Sequence, residues 1–184
     1  MAIRHDAPRG KSVVIVGGGF SGALFGMKLH RARPDWRIAI VEPKKRIGRG
    51  IAYGACDSEH LLNVPVSRME IGLVPGFAEW LTPRKRDISD ALAESGSDLP
   101  SAYVPRQMFG DYIEERVGEA LSAKARTGLT SIRGEAVRLL DGARGVLLTD
   151  GREINADIVV LAMGNLPPRP PGGPDRWLYD TGYF

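Results

Sequence analysis

The feature that most limits how this chain can fold is a run of glycines directly after a β-branched segment. Residues 13–22 read VVIVGGGFSG, in which Gly17, Gly19 and Gly22 match the pattern G-x-G-x-x-G. The four residues before the glycines are all apolar, which is typical of a strand buried on both faces of a parallel sheet. The pattern therefore predicts a strand that passes through a tight turn into a helix at the start of the fold.

Two further apolar runs extend this unit into a predicted parallel sheet. Residues 38–41 and 158–162 are mostly β-branched and lack the polar alternation of a half-solvated strand. The helical segment 20–31 has Gly22 and Gly26 on one face, and small residues four positions apart let a helix lie close to a sheet. The predicted fold class is α/β, a Rossmann-like parallel sheet with a βαβ start.

The segment between the second and last of these strands predicts a helical insertion. Glycine, proline and charged residues are frequent over residues 43–105, where only short helices are expected. The stretch GFAEWL at residues 76–81 places its apolar side chains on one helical stripe, whereas residues 83–100 are polar and predict a surface excursion. A longer amphipathic helix is predicted over residues 107–125.

Two Asp-Gly dipeptides predict how the chain returns to the last strand. Asp141-Gly142 and Asp150-Gly151 lie between short apolar segments, a pattern typical of tight hairpin turns. The crossover before residues 158–162 is therefore predicted to be a small antiparallel β-meander instead of a helix.

The glycine turn and the end of the second strand together predict a dinucleotide site. The second glycine of such a turn lets a pyrophosphate approach the backbone, and the amides of the following helix face the anion. Glu42 lies twenty residues after Gly22, the spacing of a carboxylate that binds ribose hydroxyls. This carboxylate would repel a 2′-phosphate and disfavours NADP, although Lys44, Lys45 and Arg46 follow it; FAD and NAD remain. A structural turn with an incidental glutamate is the alternative.

The composition argues against several other classes of function. The formal charge is +3, and the basic residues are not interleaved with aromatic ones, so nucleic-acid binding is disfavoured. The single cysteine, Cys56, cannot form an internal disulfide, and no apolar stretch is long enough to span a membrane. We therefore expect a cytoplasmic protein without membrane association. The three histidines show no metal-ligand spacing, so no metal site is predicted.

The stretch ADIVVLAMGNLPPRP at residues 156–170 resembles the strand–Ala-x-Gly–x-x-Pro signature of two-dinucleotide flavoproteins. Three motifs give the chain a more specific likeness, namely GRGIAYG at residues 48–54, HLLNVPVSRM at 60–69 and YVPRQMFGDYI at 103–113. Together with the glycine turn they resemble a bacterial family of FAD/NAD(P)-binding proteins over residues 12–171. The resemblance implies the N-terminal FAD-binding half of a flavin oxidoreductase, distantly similar to flavin-dependent N-hydroxylases and monooxygenases.

The resemblance also implies a set of cofactor-binding residues. Those expected at the FAD pyrophosphate are Gly17, Gly19, Phe20, Ser21 and Gly22. Those expected at the adenosine end are Glu42 at the ribose and the backbone near Val137 at the adenine, and Pro43, next to Glu42, is a further expected cofactor-binding residue. Those expected toward the ribityl chain or the flavin ring are Arg49, Leu62, Asn63 and Val64, while Ala162 and Gly164 would close on the dinucleotide from the last strand.

The sequence also predicts domain boundaries and a missing part of the fold. We expect a flexible tail at residues 1–11, the dinucleotide-binding domain at 12–166 and a proline-rich tail at 167–184. Since one dinucleotide fingerprint precedes the last residue, Phe184, we expect either that the chain is a truncated piece or that a second chain supplies the rest of the FAD fold. The apolar edge left exposed would favour a homodimer or a partner chain.

The sequence does not decide whether the protein is an enzyme. No catalytic side chain is predicted, because in flavin chemistry the cofactor carries the electrons and the protein orients it. An FAD-dependent oxidoreductase and a non-catalytic FAD- or NAD-binding module or fragment are both compatible with the sequence.

Overall fold

The structure is a computed structural model that describes residues 10–54, 59–122 and 128–165. The tail expected at residues 1–11 lies largely outside these ranges. The tail expected at residues 167–184 lies entirely outside them, as does Cys56.

The described chain opens with the βαβ unit that the glycine pattern predicted. Strand β1 spans Ser12–Val16, helix α1 spans Phe20–Ala32 and strand β2 spans Arg37–Glu42. The two strands run parallel, with Val13 opposite Ile38. These elements confirm the prediction to within one residue at each end.

The insertion that follows is helical, as predicted, and its helices are mostly short. The α-helices are α2 at Gly50–Gly54, α3 at Phe77–Leu81, α4 at Ser89–Glu94 and α5 at Arg106–Ser122. Short 3₁₀ helices lie at Val66–Arg68, Thr82–Ile88 and Leu99–Ser101. Helix α5 is the long helix predicted over residues 107–125; it begins one residue earlier, and residues 123–127 lie outside the described ranges.

Residues 83–100 are mostly exposed, which agrees with the predicted surface excursion, but two of them reach the buried core of the insertion, which was not predicted. This segment forms most of the 3₁₀ helix Thr82–Ile88 and all of α4, and it contributes Ile88 and Ala91 to the buried core of the insertion. Only a few apolar residues anchor it among many polar ones, so the average polarity of the segment concealed an amphipathic helix.

Five short strands complete the described chain. They are β3 at Leu129–Arg133, β4 at Ala136–Leu139, β5 at Gly145–Leu148, β6 at Glu153–Asn155 and β7 at Ile158–Leu161. The main sheet has the order β3-β2-β1-β7 and is parallel throughout. Strands β4, β5 and β6 form a separate antiparallel sheet, which confirms the predicted meander. The α/β fold with a Rossmann-like parallel sheet is likewise confirmed.

Strand β3 was not predicted as part of the parallel sheet. It pairs with β2 along its whole length, from Leu129 opposite Ile38 to Arg133 opposite Glu42. Within this strand Leu129 is buried, whereas Thr130, Ser131 and Arg133 are exposed. An edge strand with so few buried positions lacks the continuous apolar run that identified its neighbours.

The sheet is covered on both faces, which explains its apolar runs. Val13 and Ile15 face a core shared with α1 and α5, whereas Val14 faces a core shared with β5 of the meander. Successive residues of β1 from Val13 to Ile15 therefore point into different cores, and none of these positions is left for a polar side chain. A third core lies within the helical insertion, where Phe109 of α5 is fully buried.

Candidate dinucleotide-binding site at the glycine turn

The glycine turn lies at the carboxyl ends of the parallel strands, between β2 and β7. The Gly17 amide donates a hydrogen bond of 2.9 Å to the Val41 carbonyl, and the Ala162 amide donates one of 2.8 Å to the Val16 carbonyl. Gly17 has a φ of +101°, and a Cβ there would overlap the Ala162 carbonyl oxygen. The turn therefore requires glycine at this position for both its conformation and its packing.

Close packing of α1 places the start of this helix beside the strand ends. A Cβ at Gly22 would overlap the Gly17 carbonyl oxygen, and a Cβ at Gly26 would lie 3.0 Å from Ile40 Cδ1. The small residues that predicted a close helix do lie against the sheet. Gly17, Gly22 and Ala162, three of the predicted cofactor-binding residues, are thus brought together.

The first turn of α1 offers backbone donors. Within the described part of the chain, the amides of Gly19, Phe20, Ser21 and Gly22 donate no hydrogen bond. The first turn carries no acidic side chain, and Ser21 is exposed. Free amides at the positive end of a helix dipole are a binding site for an anion such as phosphate, so these residues fit a pyrophosphate group.

Glu42 lies beside the same turn. Its Oε2 accepts a hydrogen bond of 2.7 Å from the Gly18 amide, and its Oε1 accepts one of 3.0 Å from the Lys44 amide. Each oxygen keeps a lone pair for a further donor, such as a ribose hydroxyl. The predicted ribose carboxylate is therefore adjacent to the predicted pyrophosphate amides. Pro43 and Lys44 follow it on the exposed surface.

The segment from Gly48 to Gly50 packs on the turn, which the sequence did not predict. The Gly48 amide donates a hydrogen bond of 2.7 Å to the Gly18 carbonyl. A Cβ at Gly19 would lie 3.2 Å from Gly50 Cα. The motif GRGIAYG contained these residues, but nothing in it identified the glycine turn as their partner.

Arg49 is buried under this segment, with 3% of its surface exposed. Its Nε donates to Glu114 Oε2 at 2.7 Å, its Nη2 to Asp111 and its Nη1 to the Tyr53 carbonyl at 3.3 Å. Hydrogen bonds from Arg46 and then from Arg49 hold the pKa of Glu114 below its usual value, against an opposing effect of burial. The predicted flavin-side arginine thus lies in an ion-pair cluster with α5.

The remaining predicted residues are more dispersed. The Phe20 ring packs against Tyr53 and Phe109, at centroid distances of 5.6 and 5.8 Å, so only its backbone faces the turn. Asn63 is exposed and Val64 half-buried, in the loop between α2 and the 3₁₀ helix Val66–Arg68.

The last two predicted residues lie in the meander and after the final strand of the main sheet. Val137 is 56% exposed on β4 of the meander. Gly164 follows β7 with a φ of +70° and open space around its Cα. In the described ranges, no hydrogen bond joins Asn63, Val64, Val137 or Gly164 to the glycine turn. These four assignments, like the other predicted cofactor contacts, stay predictions.

The described residues contain no group of three or more histidine, cysteine, aspartate or glutamate side chains arranged to hold a metal ion. They also contain no helix with both the length and the apolar character needed to cross a bilayer.

The region that contains the glycine turn is similar in sequence to known proteins. A sequence model of a family described as FAD-NAD(P)-binding matches residues 14–166, which include the whole glycine turn, Glu42 and the helical insertion. The L-aspartate N-monooxygenase (nitrosuccinate-forming) of Streptomyces cremeus is 34% identical over 119 residues, a match that covers 55% of this chain and 18% of that protein. The match therefore spans about a fifth of the relative's length.

Solved structures show a general likeness. The GidA-related protein of Thermus thermophilus is 20% identical, with 83% of this chain and 52% of that chain covered at a TM-score of 0.45. The HOCl-induced flavoprotein disulfide reductase RclA of Escherichia coli is 15% identical, with 87% and 29% covered at a TM-score of 0.47.

Proposed function

This chain belongs to the FAD-NAD(P)-binding family, and from that premise we propose that its glycine turn binds the pyrophosphate of FAD within an NAD(P)H-linked flavin oxidoreductase. The observation that carries the proposal is the hydrogen bond from the Gly18 amide to Glu42 Oε2, at 2.7 Å. It supports a single site in which phosphate donors and a ribose acceptor lie side by side.

Each part of the turn has a distinct task in this proposal. The amides of residues 19–22 bind the pyrophosphate with the help of the α1 dipole. Glu42 accepts hydrogen bonds from the adenosine ribose and excludes a 2′-phosphate by charge repulsion. Gly17 and Gly22 keep α1 close enough to the strands for the ligand to reach both groups. FAD is the proposed occupant, and NAD is the alternative for the same contacts.

The proposed reaction class is supported by the proposed cofactor and by the relative. Bound FAD supplies hydride and single-electron transfer, while the protein binds it, orients it and controls access of water. The relative is named as an N-monooxygenase, which supports an oxygen-inserting flavin reaction as the proposed activity to which this chain contributes. We assign no catalytic side chain to this chain.

The remaining parts of the enzyme are proposed to come from elsewhere. Strand β7 is an edge of the described sheet, and Leu161 and Met163 at its end are 55% and 58% exposed. We propose that a further segment or a second chain, including a second copy of this one, packs there and supplies the flavin-side contacts and the NAD(P)H site. A cytoplasmic location is proposed as well, supported by the single cysteine.

The test begins with the visible absorption spectrum of the gently purified protein, followed by denaturation and identification of the released nucleotide. Yellow protein that releases FAD is the expected result. Reduction of the bound flavin by NADH or NADPH under anaerobic conditions would then support the oxidoreductase, whereas retention of FAD without reduction would favour a non-catalytic module. A colourless protein that also fails to bind added FAD would overturn the proposal.

A further inference from the structure

We propose that Arg49 is a positioning residue, which holds residues 48–50 against the glycine turn through α5 and does not itself contact the cofactor. This inference rests on the proposed function in that the turn is taken as the FAD site. Direct contact with the ribityl chain or the flavin is the competing role for this side chain.

All three nitrogens of the Arg49 guanidinium already have acceptors. They donate to Glu114, to Asp111 and to the Tyr53 carbonyl, as described above. Only 4% of the side chain is exposed, and a buried charge of this kind is stable only while its partners are present. The guanidinium has two further N–H groups, but with so little of the side chain exposed a phosphate or flavin group could reach them only by displacing the residues packed around Arg49.

The cluster around Arg49 also carries no surplus positive charge. Arg46 pairs with the same two carboxylates, through Nε to Glu114 at 2.9 Å and through Nη2 to Asp111 at 3.6 Å. Two guanidinium groups and two carboxylates sum to zero. The cluster therefore exerts little attraction on an anionic cofactor, and its effect is to join the loop after β2 to α5.

The two glycines beside Arg49 transmit this attachment to the turn. Gly48 donates its amide to the Gly18 carbonyl, and Gly50 lies against Gly19. On the other side, a Cβ at Gly48 would lie 2.7 Å from Ile113 Cγ2 of α5. The segment is thus held between the turn and α5, and Arg49 is the charged attachment in the middle of it.

The close contact between α2 and α5 depends on a glycine in α5. A Cβ at Gly110 would lie 2.9 Å from Arg49 Nη1 and 2.7 Å from the Tyr53 carbonyl oxygen, so glycine there makes room for the arginine. The Tyr53 ring packs on Phe109 at a centroid distance of 5.0 Å. A helix of five residues such as α2 is not stable alone, and its placement depends on these contacts.

The experiment uses Arg49→Met, Glu114→Gln and their combination, with Arg84→Met as the matched control. Arg84 pairs with Glu115, also on α5, at 3.1 Å, but it packs on Trp80 and not on the segment 48–50. The first readout needs no cofactor: the hydrogen-exchange rate of the Gly48 amide. A tenfold faster exchange, on the order of 1.4 kcal/mol in opening free energy, is expected in the Arg49 and Glu114 variants and not in Arg84→Met.

The second readout is the dissociation constant for FAD. For a positioning role, Arg49→Met and Glu114→Gln each weaken FAD binding, and the double variant is no weaker than the weaker single variant, because both remove the same attachment. Direct contact predicts instead that Glu114→Gln leaves FAD affinity unchanged while Arg49→Met lowers it. That result, or unchanged Gly48 exchange in all variants, would overturn the inference.

Two further controls separate the possible failures. Should Arg49→Met not fold, Asp111→Asn and Arg49→Lys replace it in both measurements, and Arg49→Lys should partly restore the slow Gly48 exchange by keeping the charge. Should the wild-type protein bind no FAD, the proposed function fails while the exchange measurement still decides whether Arg49 positions the turn.

Discussion

The amide of Gly18 donates a hydrogen bond of 2.7 Å to the carboxylate of Glu42. Gly18 is the variable residue between the first two glycines of the fingerprint, and Glu42 ends the next strand. A Cβ at Gly18 would lie 2.8 Å from Glu42 Cβ, so glycine here is also what lets the acidic side chain approach the turn. The middle one of the three consecutive glycines, which the fingerprint does not require, thus has a local explanation.

We predict that Glu42→Ala weakens FAD binding about tenfold and lowers the free energy of unfolding by about 1–2 kcal/mol. The variant removes the proposed ribose acceptor and leaves the Gly18 and Lys44 amides without their partner. Equilibrium titration with FAD and urea unfolding measure the two effects. Glu153→Ala, on the exposed face of β6, is the control and should change neither. Wild-type FAD affinity in Glu42→Ala would place the ribose elsewhere.

Most of the βαβ unit could be predicted because its signals are local. The apolar run, the glycines and the acidic residue lie within about thirty residues, and each follows from the geometry of one strand–turn–helix passage. The same holds for the meander, whose Asp-Gly pairs lie beside the strands that they connect. The start of α1 and the carboxylate of Glu42 were therefore brought together by short-range rules alone.

The parts that could not be predicted depend on contacts distant in the sequence. Strand β3 has one buried residue, Leu129, and becomes a sheet strand only because β2 is beside it. Arg49 lies 65 residues before Glu114, and no periodicity relates the two. The family resemblance left Arg49 either toward the flavin or as a residue that pins a loop, and the sequence does not identify the carboxylates of α5 as its partners.

Glycine replacements should distinguish packing from helix propensity. Gly22→Ala is predicted to prevent folding or to lower the free energy of unfolding by about 3 kcal/mol or more, because its Cβ would overlap the Gly17 carbonyl in a backbone that cannot move away from the sheet. Gly118→Ala in α5 has open space around it and should raise stability by about 0.5–1 kcal/mol. Urea unfolding measures the free energy of unfolding of both variants. Equal changes in the two variants would contradict the close packing of α1.

Tyr112 should make the fold sensitive to alkaline pH. Burial, with a smaller effect of the Glu70 charge, raises its pKa from 10 to about 12, and its hydroxyl donates to the Pro75 carbonyl at 2.8 Å. The unfolded chain releases this proton near pH 10 while the folded chain retains it. The stabilisation is therefore complete below pH 10 and is lost as the pH rises toward 12.

Tyr112→Phe should remove this dependence. The variant is expected to lose about 1 kcal/mol at pH 7 through the missing hydrogen bond, yet to lose less additional stability than the wild type between pH 10 and 12. Urea unfolding over this range measures both quantities. Tyr103→Phe, at a position 47% exposed, should keep the wild-type slope. A wild-type slope in Tyr112→Phe would mean that other groups cause the alkaline loss.

A negative charge at Ser21 should separate the stability of α1 from its proposed binding function. The first turn of this helix has no acidic residue, and Ser21 is exposed. A glutamate there interacts favourably with the helix dipole and should stabilise the unliganded protein by about 0.3–1 kcal/mol. The same charge lies beside the proposed pyrophosphate and should weaken FAD binding about tenfold or more, by charge repulsion within a few ångströms.

Because Ser21→Glu is expected to raise stability and to lower FAD affinity, a general loss of structure would not explain the result. A damaged fold would lower both stability and affinity, whereas a phosphate site predicts a higher urea midpoint together with a weaker FAD titration. Ser89→Glu adds the same charge at the start of α4 in the helical insertion and should leave FAD affinity unchanged. Because charge repulsion is screened by salt, the defect in Ser21→Glu should also shrink as the ionic strength rises. Higher stability with unchanged affinity would show that the anion binds away from the start of α1.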